Sequence, residues 1–171
     1  MNSTHASTMV RDHDSGLRDS VPGRAGRLLA RGPARMKSSS ARWAVNVLAV
    51  AGAALMVWSG VIHLQLWSDG YRSISVIGPL FLIQGAGSIV LAVALAVFRR
   101  VFLLAAGAVT MAATAAGLLL SASVGLFGYQ ESLAVPYAMS SLTVEFAGAA
   151  VLAAAAAIVL AGRPGSRPVR R

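Results

Sequence analysis

The chain has 171 residues, 56% of them hydrophobic and 12% charged, with a mean hydropathy of +0.68 and no cysteine. Soluble domains are about 45–50% apolar and about 25% charged, so this balance argues against one. The missing cysteines exclude disulfide frameworks, thiolate metal sites, iron–sulfur clusters and cysteine nucleophiles.

The formal charge of +9 is concentrated in two tails. Residues 1–42 carry eight basic side chains (Arg11, Arg18, Arg24, Arg27, Arg31, Arg35, Lys37 and Arg42) against Asp12, Asp14 and Asp19. Residues 163–171 add Arg163, Arg167, Arg170 and Arg171 with no acid. The middle, 43–162, balances Arg72, Arg99 and Arg100 against Asp69, Glu131 and Glu145. Neither tail contains Trp, Tyr or Phe. A nucleic-acid surface interleaves basic and aromatic residues on a folded face, so no nucleic-acid partner is expected.

In chain order, residues 1–42 are rich in Ser, Gly and Arg and lack apolar periodicity, which predicts a disordered tail. Met9 and Met36 are alternative start positions within it. Four apolar runs follow, at about 43–67, 76–98, 101–127 and 142–162. Each has the roughly 20 residues that a helix needs to cross about 30 Å of hydrocarbon. The first run is longer than a signal-peptide core and is read as a retained span. None alternates like a barrel strand, and stretches such as Ile89–Val97 and Val151–Leu160 lack the polar face of a soluble bundle helix. The expected fold is therefore all-α, a transmembrane four-helix bundle between basic tails.

Basic residues flank the cytoplasmic ends of spans. The N-terminal tail, the Arg99–Arg100 turn and the C-terminal tail fall on one side, predicting a cytoplasmic-membrane protein with both termini cytoplasmic. The expected partners are the bilayer, anionic lipids at the basic tails, and either a second copy of the chain or another membrane protein. Small residues mark helix contacts in lipid. Ala113, Gly117, Ser121 and Gly125 form one such series, Ala149, Ala153, Ala157 and Ala161 a second, and Ser88, Ala92 and Ala96 a third. Intramolecular packing is the simpler use of these series, and a dimer face for the first is the sharper one.

Ionisable residues within a span are costly and tend to face the bundle interior. His63, Gln84, Ser121 and Glu145 all fall in the half of the spans away from the tails, which predicts a polar cluster with His63 beside Glu145 and Gln84 bonded to them. Such a cluster fixes helix register or holds a proton or a cation. In the first connection, Trp67 and Tyr71 suit an aromatic belt, Ser75 suits a helix cap, and Arg72 is placed to pair with Asp69 or Glu131 or to meet a lipid headgroup. Asn46 is an interfacial polar group. A single intramembrane His with a single Glu is too little for haem, zinc or di-iron ligation, so no cofactor or metal is expected.

Residues Ile62–Leu82 contain a histidine closing the first span, the turn Gly70–Tyr71–Arg72, and the helix start Ile77–Gly78–Pro79–Leu80–Phe81–Leu82. This block resembles one in an uncharacterised group of small four-span integral membrane proteins of high-GC Gram-positive bacteria, and the layout over 43–162 is loosely similar to DoxX-like four-helix membrane proteins. The resemblance implies a four-span layout and no particular activity. Three functional readings follow. The first is a non-enzymatic accessory or partner subunit. The second is a dimeric proton-coupled transporter using Glu145 and His63, similar to small multidrug exporters except that their essential glutamate lies in the first span. The third is a quinone-linked redox subunit using His63. A packed interior favours the first; a cavity reaching Glu145 favours the second.

Overall fold

The computed structural model describes residues 26–27, 30–36 and 38–162. Among these, four long helices form an all-helical bundle: α1 (Ser39–Ser68), α2 (Ile77–Phe98), α3 (Val101–Ser123) and α4 (Ala138–Ala161). Each is long and apolar enough to cross a membrane.

The helix ends follow from local chemistry. Ser38 caps α1, its hydroxyl accepting from the Ala41 N–H at 3.3 Å. This places the start of α1 four residues before Trp43. Arg99 adopts the left-handed conformation (φ 43°), so α2 ends and α3 begins within two residues. Ser75 does not cap α2. Val76 stands there instead with φ 67° and ψ −52°, and the Ile77 N–H donates to the Ser75 carbonyl at 2.7 Å. That is a three-residue γ-turn of the strained kind, on a β-branched residue. α3 stops at Ser123 rather than near Phe127, because Gly125, Phe127 and Gly128 all take positive φ and turn the chain. After this connection Tyr137 (φ 70°) leads into α4, which starts four residues before Leu142.

The tail expected to be disordered through residue 42 is ordered over 30–36. Pro33–Arg35 form a 3-10 turn, the Val101 N–H donates to the Arg31 carbonyl at 2.8 Å, and Met36 is buried in the core. The signal is Met36, an apolar side chain that can fill the space left by Gly162. The remaining tail before residue 26 and the C-terminal tail 163–171 lie outside the described residues.

α1 packs against α2 and α4, and α4 packs against α3, whereas the α2–α3 seam is much looser. Val45, Met56, Leu95, Leu104, Met111 and Leu152 are fully buried in the core. Glycines let helices approach where large side chains must fit. A Cβ on Gly107 would meet Leu152 at 2.9 Å, and one on Gly148 would meet Met111. Gly60 and Gly85 bring α1 and α2 to backbone contact, so a Cβ on Gly60 would sit 2.8 Å from the Gly85 carbonyl oxygen.

The small-residue series are only partly used for packing. Ser88 and Ala92 are buried, but Ala153 and Ala157 are exposed and Gly117 has open space beside it. The working contacts pair one small residue with one large one across the interface, which a search for small residues alone does not register. Outside the core, Val47, Trp58, Ile83, Val90, Val109 and Phe146 are exposed. An apolar exterior of this extent is costly in water and suits hydrocarbon.

Gly60→Ala should lower the thermal unfolding midpoint in detergent, by the equivalent of about 1–3 kcal/mol, because its new methyl meets the Gly85 backbone at 2.8 Å, which cannot move aside, as well as the Ile89 side chain at 2.9 Å. Gly87→Ala, with nothing within 4 Å of the added carbon, should be neutral or slightly stabilising.

Candidate functional site

The loose α2–α3 seam leaves a cavity of about 330 Å³ at the end of the bundle away from Arg99. Its walls come from the second half of α1, the starts of α2 and α4, and the last turns of α3. The connection between α3 and α4 and the side chain of Tyr71 roof it. Most of the lining is apolar, including Leu80, Phe81, Leu118 and Val135.

Glu145 lies at the polar end of this cavity and is wholly buried. Its Oε1 accepts from the Ser141 hydroxyl at 2.9 Å and the Ser59 hydroxyl at 3.2 Å, and lies 3.8 Å from His63 Nε2. Its Oε2 is buried and has no hydrogen-bond partner among the described residues. A buried carboxyl oxygen left unpaired costs free energy unless something else meets it.

His63 is also buried, its Nδ1 2.9 Å from the Ser59 carbonyl. A carbonyl only accepts, so Nδ1 carries a proton and the neutral ring presents a lone pair at Nε2. The pair then has room for one shared proton: imidazolium beside carboxylate, or neutral imidazole beside carboxylic acid. Either arrangement is neutral overall, the least costly state for two ionisable groups away from water.

The sequence-level candidates do not all converge. His63 and Glu145 meet. Gln84 lines the cavity but donates to Ser88 Oγ at 3.1 Å, one turn along its own helix, instead of bonding the pair. Ser121 also lines the cavity, with its hydroxyl 3.5 Å from the Tyr129 carbonyl. Arg72 makes no ion pair with Asp69 or Glu131; among the described residues the single ion pair is His63–Glu145. Glu131 is instead bound by the Tyr71 hydroxyl, which donates to Oε2 at 2.7 Å, while the Tyr129 hydroxyl lies 3.5 Å from Oε1. Asp69 accepts from the Ser68 hydroxyl at 3.4 Å beyond the end of α1. At the opposite end, Asn46 Oδ1 accepts from Arg99 at 3.2 Å.

Sequence reasoning missed Ser59, Ser141, Phe81 and Tyr129. Ser141 had a signal, since it stands four residues before Glu145 and so on the same helix face, whereas the Ser59 hydroxyl reaches Glu145 from another helix and only the fold reveals it. The aromatics form a chain that only the fold reveals. Phe81 lies against His63 (ring centroids 5.1 Å apart), Tyr71 stacks on Phe81 (4.8 Å, 17°), and Tyr129 meets Tyr71 edge-on (5.9 Å).

No family model, curated protein or solved structure matches the chain. Composition and fold define a class, four apolar helices of membrane-spanning length in one chain, compatible with a multi-pass membrane protein.

Burial, then the hydrogen bonds with Tyr129 and Glu131, hold the Tyr71 hydroxyl well above the usual phenol range. A group whose pKa is raised by folding stabilises the fold fully below its unfolded value and loses that contribution as pH rises. Tyr71 should therefore not ionise around pH ~10 while the protein is folded. The difference in tyrosinate absorbance between unmodified protein and Tyr71→Phe should be flat through that range and appear only on unfolding at higher pH.

Proposed function

We propose that this chain is a multi-pass protein of the cytoplasmic membrane that takes a small lipophilic cation into the cavity at Glu145 and releases in exchange the proton shared by Glu145 and His63. The observation that supports this most strongly is the wholly buried Glu145 at the cavity wall, one oxygen held by two serines and the other unpartnered. A volume near 330 Å³ is at the lower end of small-molecule sites, which run about 300–1,000 Å³. The rings of Tyr71, Phe81 and Tyr137 supply faces that attract a cation.

The exchange follows from charge conservation in a poorly solvated site. The empty pair is neutral with one proton bound. A monocation entering beside it keeps the site neutral only if that proton leaves. Binding and proton release are thus linked, which is the elementary step of a proton-coupled transporter. The accessory-subunit reading rests on a filled interior, which the cavity disfavours. Basic residues at the termini and at Arg99–Arg100 support cytoplasmic ends, with the cavity toward the other surface.

Calorimetry with phenyltrimethylammonium on the full chain in lipid nanodiscs tests this. Binding should strengthen by up to about tenfold per pH unit while the pair is protonated, with one proton released, as judged from heats in buffers of different ionisation enthalpy. Glu145→Gln should weaken binding about a hundredfold or more and remove its pH dependence. Cation binding unchanged in Glu145→Gln would defeat the proposal. Tight binding of an uncharged quinone without proton exchange would favour the redox reading instead.

A further inference from the structure

The opposite end of the bundle carries a second, wider pocket of about 600 Å³, enclosed by the ordered segment 30–34, the first turns of α1 and the α2–α3 turn. Arg42, Arg99 and Arg100 all line it. Every described carboxylate, Asp69, Glu131 and Glu145, belongs to the other half of the bundle or to its connections. Three guanidinium groups therefore share a concavity with no counter-charge on the described chain.

Two of the three are positioned by their neighbours. Arg99 donates to Asn46 Oδ1 at 3.2 Å and to the Ala96 carbonyl at 3.3 Å, and Arg100 donates to the Ala30 carbonyl at 2.9 Å. These bonds engage only part of each guanidinium fork, leaving N–H donors for an anion. The segment carrying Ala30 is itself fixed by the bond from the Val101 N–H to the Arg31 carbonyl. Arg42 lines the pocket from α1, and its side chain makes no hydrogen bond within the described residues. Planar forks of this kind match the oxygens of phosphate in a way that a simple point charge does not.

We propose that this pocket binds a phosphate group, and that the phosphate belongs to the headgroup of an anionic phospholipid. The adjoining surface decides for a lipid. Val97 and Phe98 line the pocket and are largely exposed, and Trp43, next to Arg42, is 70% exposed. An apolar flank of that kind directly beside a phosphate site suits acyl chains lying along α1 and α2. The site is separate from the Glu145 cavity and does not depend on the reading of that cavity.

The test is native mass spectrometry of the full-length chain in detergent, titrated with phosphatidylglycerol, with phosphatidylcholine, and with inorganic phosphate as competitor. Phosphatidylglycerol should bind more tightly than phosphatidylcholine. Arg42→Gln should weaken it about fivefold and the double variant Arg99→Gln/Arg100→Gln about twenty-fivefold, on the scale of about one such step per basic residue. Replacing Arg163, Arg167, Arg170 and Arg171 by Gln should change it little. Arg42→Gln removes no hydrogen bond within the described residues, so its effect is separable from misfolding. Displacement of the lipid by millimolar phosphate would support the site but reassign its occupant to free phosphate. Unchanged lipid binding in both pocket variants, or an equal loss in the tail variant, would overturn the proposal.

Discussion

Hydrocarbon offers no hydrogen bonds, and that single constraint shapes most of what this chain does. It makes four helices the natural form for apolar runs of 22–30 residues. It also dictates where hydroxyl groups go. Thr114 donates to the Thr110 carbonyl and Thr143 to the Met139 carbonyl, each at 2.8 Å, so these side chains satisfy themselves on their own helix. Ser59 and Ser141 behave differently. They spend their hydroxyls on Glu145, one from another helix and one from its own, because a carboxyl group in this setting has more need of donors than a carbonyl already bonded in a helix.

The same constraint makes packing depend on close approach rather than on expulsion of water. Glycines are spent at three of the interfaces: Gly60 and Gly85 between α1 and α2, Gly52 against Leu152 between α1 and α4, and Gly107 and Gly148 between α3 and α4. Among the described residues no glycine makes such a contact between α2 and α3, and Gly117, which lines the cavity, meets nothing within 4 Å. The cavity is the consequence. A bundle closed tightly along three sides and loosely along the fourth retains space at the fourth, and the polar residues of both facing helices, Gln84 and Ser121, line it.

Much of this was legible in the sequence, for reasons that differ residue by residue. The helices were legible because span length and hydropathy are one-dimensional properties. The meeting of His63 and Glu145 was anticipated from equal depth alone, since alternating helices bring the end of the first span beside the start of the fourth. Span boundaries were less legible at 124–128, where Leu126 and Phe127 look like helix but Gly125 and Gly128 enforce turns. The Arg72 pairing failed because the tyrosines compete for Glu131. Tyr71 stacks on Phe81 and thereby points its hydroxyl at that carboxylate, and stacking across a turn leaves no periodic trace. Ordering of residues 30–36 was hidden because it depends on carbonyls of that segment meeting Arg100 and Val101, a contact set by tertiary structure and not by composition.

The two ends of the bundle have opposite electrostatic character, and this constrains any cycle built on the Glu145 cavity. In the proposed exchange a cation would meet carboxylates at the end holding Glu131 and Glu145 and repulsion at the end holding Arg42, Arg99 and Arg100. Passage through the bundle would thus require the cation to leave a neutralised site toward an increasingly positive one, unless the arginines are covered by an anion first. A phosphate in the arginine pocket would remove that barrier. Movement is cheapest where the fold is least committed, along the loosely packed α2–α3 seam. At one end of that seam stands the strained γ-turn at Val76, and at the other the left-handed Arg99 that joins α2 to α3. Both are backbone conformations that side chains with a Cβ rarely adopt, so the helix that borders the loose seam also carries strain at each of its ends.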